Sequence, residues 1–393
     1  MAVEHAPPLD GFALSDDERT VRDTVRDWAQ REVAPGAAQR DEEERYDRSL
    51  FERAGELGLT GLPYPEELGG AGMGTFAWIL AIEEIAAADM GMAVSLSVHI
   101  LSQLCIFANG TDEQKRRFLP PMTAGRELGA FALTEPESGS DAASLSLAAR
   151  RDGDDYLLTG TKIWITNAGD AARYVVFATV DRSRGTSGIT AFVVEADTPG
   201  FRLGSKERKM GIRGTSAYEL IFEDVRVPGP NRLGEEGEGL KVALSALGAG
   251  RIGIAGACTG LARGALELAT RYALDRRQFG RPIADQQMIQ GMLAEMAVGV
   301  DAARLLTWRA ARMRDAGQPI NAPSSMAKWY ASDVAMRVTT DAVQIYGGAG
   351  YSRDNPVERL MRDAKGAQIY EGTNQIHRLI VAQQLLDTMR RDA

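Results

Sequence analysis

The chain holds only two cysteines and three histidines in 393 residues. Cys105 and Cys258 stand far apart among apolar or small neighbours. They form no disulfide framework and are expected as buried small hydrophobes. His5, His99 and His377 are isolated from one another, and neither HExxH nor CxxC occurs, so no metal site is expected. No GxSxG elbow is present either. An enzyme built from this chain needs an unusual base or an organic cofactor. The N-terminal MAVEHAPPLDGF has no basic n-region and no apolar h-region, so no signal peptide is read, and its early acidity is unlike a transit peptide. The uncharged run at 252–262 is read as the longest at a helical segment. It is well short of the roughly 20 residues a membrane span needs. A cytoplasmic protein without a membrane segment is expected.

Positive charge is in deficit: 45 Lys and Arg face 54 Asp and Glu, a net charge of −9. Such a surface repels a phosphate backbone, which disfavours broad nucleic-acid binding. It does not bar an anionic small molecule held by a local site. Hydrophobic residues at 44% and charged residues at 25% are ordinary for a globular protein. The length predicts about two to three domains.

Three zones follow one another. Residues 15–125 read as helical. Ser15 is placed to cap a helix opened by Asp16, Asp17 and Glu18, and Val21, Val25 and Trp28 recur at helical spacing. The DEEER run at 41–45 reads as a solvated face. From 131 to 227 the segments are short, β-branched and aromatic, separated by turn clusters, which predicts an antiparallel barrel or sandwich. Beyond the breaker-rich PGPNRLGEEGEG at 228–239, helical periodicity returns. Met288, Ile289, Met292, Leu293, Met296, Val300, Ala303, Leu306, Ala310 and Met313 step by three and four as a bundle seam. The expected class is α+β: an N-terminal helical domain (1–127), a middle β domain (128–234) and a C-terminal helical bundle (235–393).

Gly248, Gly250 and Gly253 spell GxGxxG, but the segment before them reads as helix rather than strand. Close helix packing accounts for these glycines better than a dinucleotide turn. Three other segments carry chemistry. TEPESGSD (134–141) offers glycine and serine turns whose backbone N–H groups suit phosphate or ribityl contacts. In KIWITN (162–167), Trp164 and Thr166 fall on one strand face, an indole beside a hydroxyl. In QIYEGTNQIHR (368–378), Glu371 and Gly372 interrupt two helical patterns, and Thr373 or Asn374 is placed to cap the second. A carboxylate on a tight inter-helix turn, behind Tyr370, suits a pocket.

LTEPESGSD and QIYEGTNQIHR together resemble the two signatures of the acyl-CoA dehydrogenase family. MGIRGTSAYELIFEDVRVP, GRIGIA, YALDRRQFGRPI, RLLTWRAA and QIYGGAGY are similar to family segments between them. The resemblance covers essentially the whole chain and is nearest to short-chain (butyryl) and short/branched-chain members. It implies FAD as cofactor and Glu371 as the catalytic base. Phe131, Leu133, Thr134, Gly139 and Ser140 match the strand and loop that touch FAD. Trp164, Ile165 and Thr166 match the segment at the flavin ring. Arg276, Phe279, Gln287, Gln344, Ile345 and Gly348 match residues that reach FAD across a subunit interface. Thr373 and Gln375 match cofactor contacts beside the base. Ser140, Arg251, Tyr370 and Gly372 match substrate positions. Some relatives carry the base in mid-helix just before the arginine matched by Arg251; here that position is Gly250, which leaves Glu371. Gly248 stands where relatives often have an aspartate near CoA.

The implied reaction is α,β-dehydrogenation of an acyl-CoA to a trans-2-enoyl-CoA, as in fatty acid β-oxidation. Glu371 takes the α-proton and the β-hydride passes to flavin N5. Electrons then go to an electron-transferring flavoprotein, and a homotetramer built as a dimer of dimers is implied. The alternatives are a flavin oxidase or monooxygenase of the same fold, or a non-enzymatic nucleic-acid-binding relative. The net charge of −9 and the retained Glu371 weigh against the latter.

Overall fold

The structure is a computed structural model that describes residues 13–392. The segment on which no signal peptide is expected, 1–12, lies outside the described residues, as does His5. The helices α1 (Asp16–Trp28), α2 (Ala37–Glu42), α3 (Arg48–Glu56), α4 (Gly74–Ala88), α5 (Met90–Asn109) and α6 (Asp112–Thr123) open the chain. Ser15 caps α1 as expected: its hydroxyl accepts from Glu18 N at 3.2 Å while the Glu18 carboxylate accepts from Ser15 N at 2.9 Å.

The sheet comprises β1 (Gly129–Ala132), β2 (Ala148–Asp152), β3 (Asp155–Thr166), β4 (Arg173–Thr179), β5 (Ile189–Glu195), β6 (Phe201–Lys206), β7 (Ala217–Val227) and β8 (Arg232–Leu233). Its order is β6-β7-β3-β2-β4-β5-β8, with β1 beside β4. Most pairings are antiparallel, as expected. The β1–β4 pairing is parallel, from Gly129 opposite Arg173 to Ala132 opposite Val176, and β2 meets β4 through one parallel pair. β1 enters the sheet straight from the helical layer, and the chain then leaves for the 133–147 stretch before it returns as β2.

After the sheet come α7 (Gly239–Asp275), the small hairpin β9 (Arg277–Gln278) and β10 (Arg281–Pro282), α8 (Gln287–Asp315), α9 (Asn321–Tyr346), α10 (Val357–Ala367) and α11 (Asn374–Asp392). One core unites α1 and α4 with α7, α8, α9 and α10, so the first and third zones of the sequence share a single interior. A second core packs Leu104, Phe118 and Met122 against Val175 and Phe177 of β4 and Val242 of α7. A third lies within the sheet, around Tyr156, Tyr174, Phe192 and Phe222.

Three sequence expectations change. The 252–262 run is not the longest uncharged one: α5 has no charged residue over its 20 positions. α5 and α7 are long and apolar enough by composition to cross a membrane, yet most of each is buried among the other elements. Asp41, in the run read as a solvated face, is buried and accepts from Arg362 at 2.7 and 3.1 Å, tying α2 to α10. The Met288–Met313 seam is only partly interior: Met296, Val300, Ala303 and Ala310 are buried, whereas Met288 is 81% exposed. The GxGxxG glycines do lie inside α7, and a Cβ at Gly260, further along, would sit 2.1 Å from the Glu83 carbonyl oxygen of α4. Close packing of the two helices requires the missing side chain. Cys105 and Cys258 are buried as expected.

Candidate active site

The six residues between α10 and α11 form the turn that carries Glu371. Glu371 and Gly372 both take left-handed backbone, at φ 52° and 93°. A non-glycine residue there is strained unless its surroundings hold it. Tyr370 N donates to Gly366 O at 3.1 Å and Asn374 N to Gln368 O at 3.1 Å. Lys328 Nζ donates to Gly372 O at 2.7 Å. The His377 ring closes over Gly372, where a Cβ would lie 3.1 Å from the ring, so only glycine fits. Thr373 Oγ1 accepts from Ile376 N at 3.4 Å, the cap expected for α11.

Glu371 as a residue is half-buried, but both carboxylate oxygens are shielded from solvent and have no hydrogen-bond partner among the described residues. Burial pushes its pKa up to about 7, against the pull of Lys328 and then Arg251. A buried carboxylate with no donor is costly and concentrates at functional sites. Its lone pairs are committed to nothing, as a base for a C–H proton requires. The Tyr370 hydroxyl is likewise buried without a partner among the described residues, and the His377 ring nitrogens are buried against the Glu371–Gly372 backbone without a well-formed hydrogen bond. Burial holds His377 near pKa 3, so the ring is neutral. Arg251 donates through Nη1 to Asn321 Oδ1 at 3.2 Å and Ser325 Oγ at 3.3 Å.

Gly250 faces this carboxylate from mid-α7. A Cβ there would lie 2.7 Å from Glu371 Oε2 and 3.1 Å from Leu101 Cδ1. The mid-helix position and the turn position thus converge on one point in space. Gly250→Ala is expected to push the carboxylate aside and lower kcat by roughly 10–100-fold, since a misplacement near 1 Å costs about 10². Rapid-mixing flavin reduction checks it; an unchanged rate would show that the carboxylate position is not critical. Gly250 also lines a cavity of about 270 Å³ with Tyr64, Trp78, Leu101, Leu104, Phe107 and Arg314 among its walls.

A second set of predicted residues gathers around the end of β3. A register shift between Lys162 and Ile165 bulges the strand, so both point inward and Trp164 is left at φ 61° with 53% of its surface exposed. The bulge is what turns the indole out, a departure from the regular strand alternation assumed from sequence, and Thr166 is half-buried. The loop at 134–141 is anchored from within: Glu135 accepts from Lys162 Nζ at 2.7 Å, Ser146 N at 2.6 Å and Leu147 N at 2.9 Å. This leaves Gly139 and Ser140 exposed, with nothing within 4 Å of a Cβ at Gly139. Asn167, next to Thr166, accepts from Ser95 Oγ at 2.7 Å. Ser95 and the Gly250-facing Leu101 are six residues apart on α5, about 9 Å of rise, so the β3 end and Glu371 flank one region.

The residues implied to act across an interface lie elsewhere. Arg276 follows the last residue of α7, about 39 Å along that helix from Gly250. Phe279, on the hairpin turn, is 94% exposed, and Gln287 and Met288 beside it are exposed too. Gln344 and Gly348 reach the same end, because Tyr346 stacks on Tyr272 of α7 at 4.0 Å between centroids. A single protomer does not bring this set to Glu371. The side chains of Leu133, Ile165 and Ile345 face the cores, so a contact from them would be made through the main chain.

Family models described as the acyl-CoA dehydrogenase N-terminal, middle and C-terminal domains match residues 15–126, 130–225 and 237–386. The chain belongs to the acyl-CoA dehydrogenase family. It is 46% identical to the mitochondrial short-chain specific acyl-CoA dehydrogenase of Rattus norvegicus, over 96% of this chain and 92% of the relative. It matches the solved butyryl-CoA dehydrogenase of Megasphaera elsdenii with a TM-score of 0.94 at 45% identity, over 95% and 99% of the two chains. A chain in the solved structure described as the electron transferring flavoprotein of Acidaminococcus fermentans matches at a TM-score of 0.94 and 46% identity, over 95% and 99%.

As an acyl-CoA dehydrogenase the protein is an FAD-dependent oxidoreductase. The residues present fit that cofactor. The outward indole of Trp164 offers a flat apolar platform for a heteroaromatic ring. The open backbone at Gly139 and Gly348 leaves main-chain N–H groups accessible to phosphate. Sequence reasoning gave no supporting role to Glu135 with Lys162 or to Lys328, and read Asn374 only as a candidate cap. A lysine beside the apolar Ile163–Ile165 run of β3, or on a small-residue helix face, was the available signal.

Proposed function

We propose that this acyl-CoA dehydrogenase removes the α-proton of a short-chain acyl-CoA with Glu371, yielding the trans-2-enoyl thioester. The observation that carries this reading is the buried, partnerless carboxylate on the left-handed turn, its pKa raised by burial to about 7. A base poised near the working pH and free of competing donors suits removal of a weakly acidic C–H proton. Bound FAD supplies the acceptor for the hydride leaving the β-carbon. Thr134, Gly139, Ser140, Trp164, Thr166, Thr373 and Gln375 of one protomer hold it. Phe131, Leu133 and Ile165 shape the wall behind. Arg251, Ser140, Tyr370 and Gly372 would border the thioester, and the Glu371 N–H would hold its carbonyl oxygen. Gly248 leaves open space near CoA, with only Ile320 Cδ1 within 4 Å of a Cβ, at 3.7 Å.

A second protomer completes the cofactor site with Arg276, Phe279, Gln287, Gln344, Ile345 and Gly348. The separation along α7 and the 94% exposure of Phe279 support this, as do the apolar faces of α8 at Met288 and Val298 (81% and 71% exposed). A homotetramer is the assembly these faces suit. An electron-transferring flavoprotein is the proposed acceptor, and a cytoplasmic step in fatty acid β-oxidation the proposed setting.

The acyl chain enters the cavity beside Gly250. Arg314, on its wall, is half-buried with no hydrogen bond or ion pair among the described residues. That favours a second reading in which the acyl group ends in a carboxylate. Anaerobic mixing of the holoenzyme with acyl-CoAs of two to eight carbons, branched acyl-CoAs and a dicarboxylic monothioester separates the readings. Bleaching of the flavin band by short straight chains supports the first, and by the dicarboxylic thioester alone the second. No bleaching by any of them sinks both. The same preparation should have the mass of four chains with one FAD per chain; a monomer that retains FAD would refute the shared site.

A further inference from the structure

Lys328 has no exposed surface and sits on a face of α9 otherwise made of Ser324, Ser325, Ala331, Ser332 and Ala335. Its ammonium donates to Gly372 O at 2.7 Å and Asn374 Oδ1 at 3.2 Å. Asn374 is itself buried and donates through Nδ2 to Ser332 Oγ at 2.9 Å and Asp333 Oδ1 at 2.8 Å. Gln368 Nε2, before the turn, donates to Asp333 Oδ1 at 2.6 Å, so α9 is bonded to both sides of Glu371–Gly372. No carboxylate forms an ion pair with Lys328 among the described residues, so its charge is balanced only at longer range. A neutral donor would serve the two hydrogen bonds at a smaller desolvation cost.

We propose that Lys328 is a positioning residue for the reaction: through the Gly372 carbonyl it locks the left-handed turn that aims Glu371, and through its charge it keeps that carboxylate ionised in an otherwise donor-free site. This rests on the reading of Glu371 as the α-proton base. The groups around the pair are few. The charges that act on Glu371 are those of Lys328 on α9 and Arg251 on α7. Lys328 is faced by Glu371, by Cys258 and Arg251 of α7, and by Asp333 on its own helix. Asp363 of α10 acts on Tyr370, and His377 of α11 stays neutral. Burial lowers Lys328 to about 8, so it remains mainly charged at neutral pH. Lys328 and Arg251 are the cations that oppose burial at the base, and Lys328 alone is also bonded to the turn.

Holoenzymes carrying Lys328→Met, Lys328→Gln and Lys328→Arg test this. The ionisation of Glu371 is read in the resting protein by isotope-edited infrared titration, with Glu371→Gln as the blank. The acid limb of kcat/KM and the FAD content are measured alongside. Lys328→Met is expected to move the midpoint of Glu371 ionisation and the acid limb together upward by about one pH unit. At pH 7 it should lower kcat about tenfold or more, with KM and FAD content little changed. Lys328→Gln, which keeps a donor, should show the same pH shift with a smaller loss of kcat. Lys328→Arg should leave the ionisation near the wild-type value. Unmoved ionisation in both neutral variants overturns the proposal, and so does failure of all three to fold, which would make Lys328 structural only. Failure of the wild type to be reduced by any acyl-CoA would instead sink the dehydrogenation reading, while the infrared titration still reports on Lys328.

Discussion

Glu371→Gln is expected to leave a folded, FAD-loaded protein whose flavin reduction by acyl-CoA falls by about 10⁴-fold, the upper end of what a positioned general base contributes. The amide preserves the shape of the carboxylate and removes its basicity. Gly250, which faces the same point from α7, has no side chain with which to take over. The same substitution should also stabilise the protein, in a pH-dependent way. The folded-state pKa of Glu371 is raised by burial to about 7 from an ordinary 4.5. The folded form therefore binds the proton more tightly than the unfolded chain, and wild-type stability is fullest below the ordinary value and declines as pH rises toward 7. The difference accumulates to an order of about 3 kcal/mol above that range. Thermal unfolding of wild type and variant should nearly coincide at pH 4–5 and diverge by pH 8, with the glutamine form higher. Full turnover in the variant would remove Glu371 from the chemistry. A parallel pair of pH–stability curves would show that its carboxylate is not buried in solution.

Lys162→Met is expected to have the largest effect on stability and cofactor retention. Lys162 and Glu135 form a salt bridge of 2.7 Å with both side chains nearly inaccessible, and Lys162 also donates to Leu133 O at 2.9 Å. Removal of one partner strands the other charge in the interior, which costs about 3–5 kcal/mol. The local effect is more specific. Glu135 holds Ser146 N, Ser146 Oγ and Leu147 N, so its carboxylate organises the whole 134–147 stretch on which Thr134, Gly139 and Ser140 sit. The variant should lose several degrees of thermal stability and release FAD on gel filtration. A Glu135→Gln, Lys162→Met double variant should recover part of the stability, because no lone charge is left behind. A single variant that keeps both its melting temperature and its flavin would show that the loop is held by other contacts.

Much of the architecture was legible in residue order. Helical spacing around Val21, Val25 and Trp28, the Ser15 capping box and the short β-branched runs of 131–227 each depend on local geometry, and local geometry is what a sequence pattern encodes. The turn at Glu371–Gly372 was legible for the same reason, since a glycine and a capping threonine between two helical patterns leave few other conformations. Long-range pairing was not. Asp41 looked like part of a solvated run because its partner Arg362 is more than three hundred residues away. α5 was passed over as an uncharged stretch, although burial by α4, α7 and the sheet explains its composition. Phe279 and Met288 sit on one protomer's surface, and no periodicity distinguishes an exposed apolar face from one awaiting a partner.

The residue types themselves determined that a carboxylate, a glycine and a tyrosine would meet on one tight turn; that the indole of Trp164 faces outward was decided by the bulge in β3. Tertiary structure decided what those groups can do. Packing of α7 against the turn takes both Glu371 oxygens out of water and places Gly250 where any side chain would crowd them. α9 delivers the Lys328 ammonium to the back of the turn, and α2 braces α10 through Asp41. Ionisation of a carboxylate is set by the surrounding dielectric and nearby charges, and the two charges that act here, Lys328 and Arg251, belong to other helices, α9 and α7. Sequence offers Glu371 as the proposed base; only the fold sets its proton affinity.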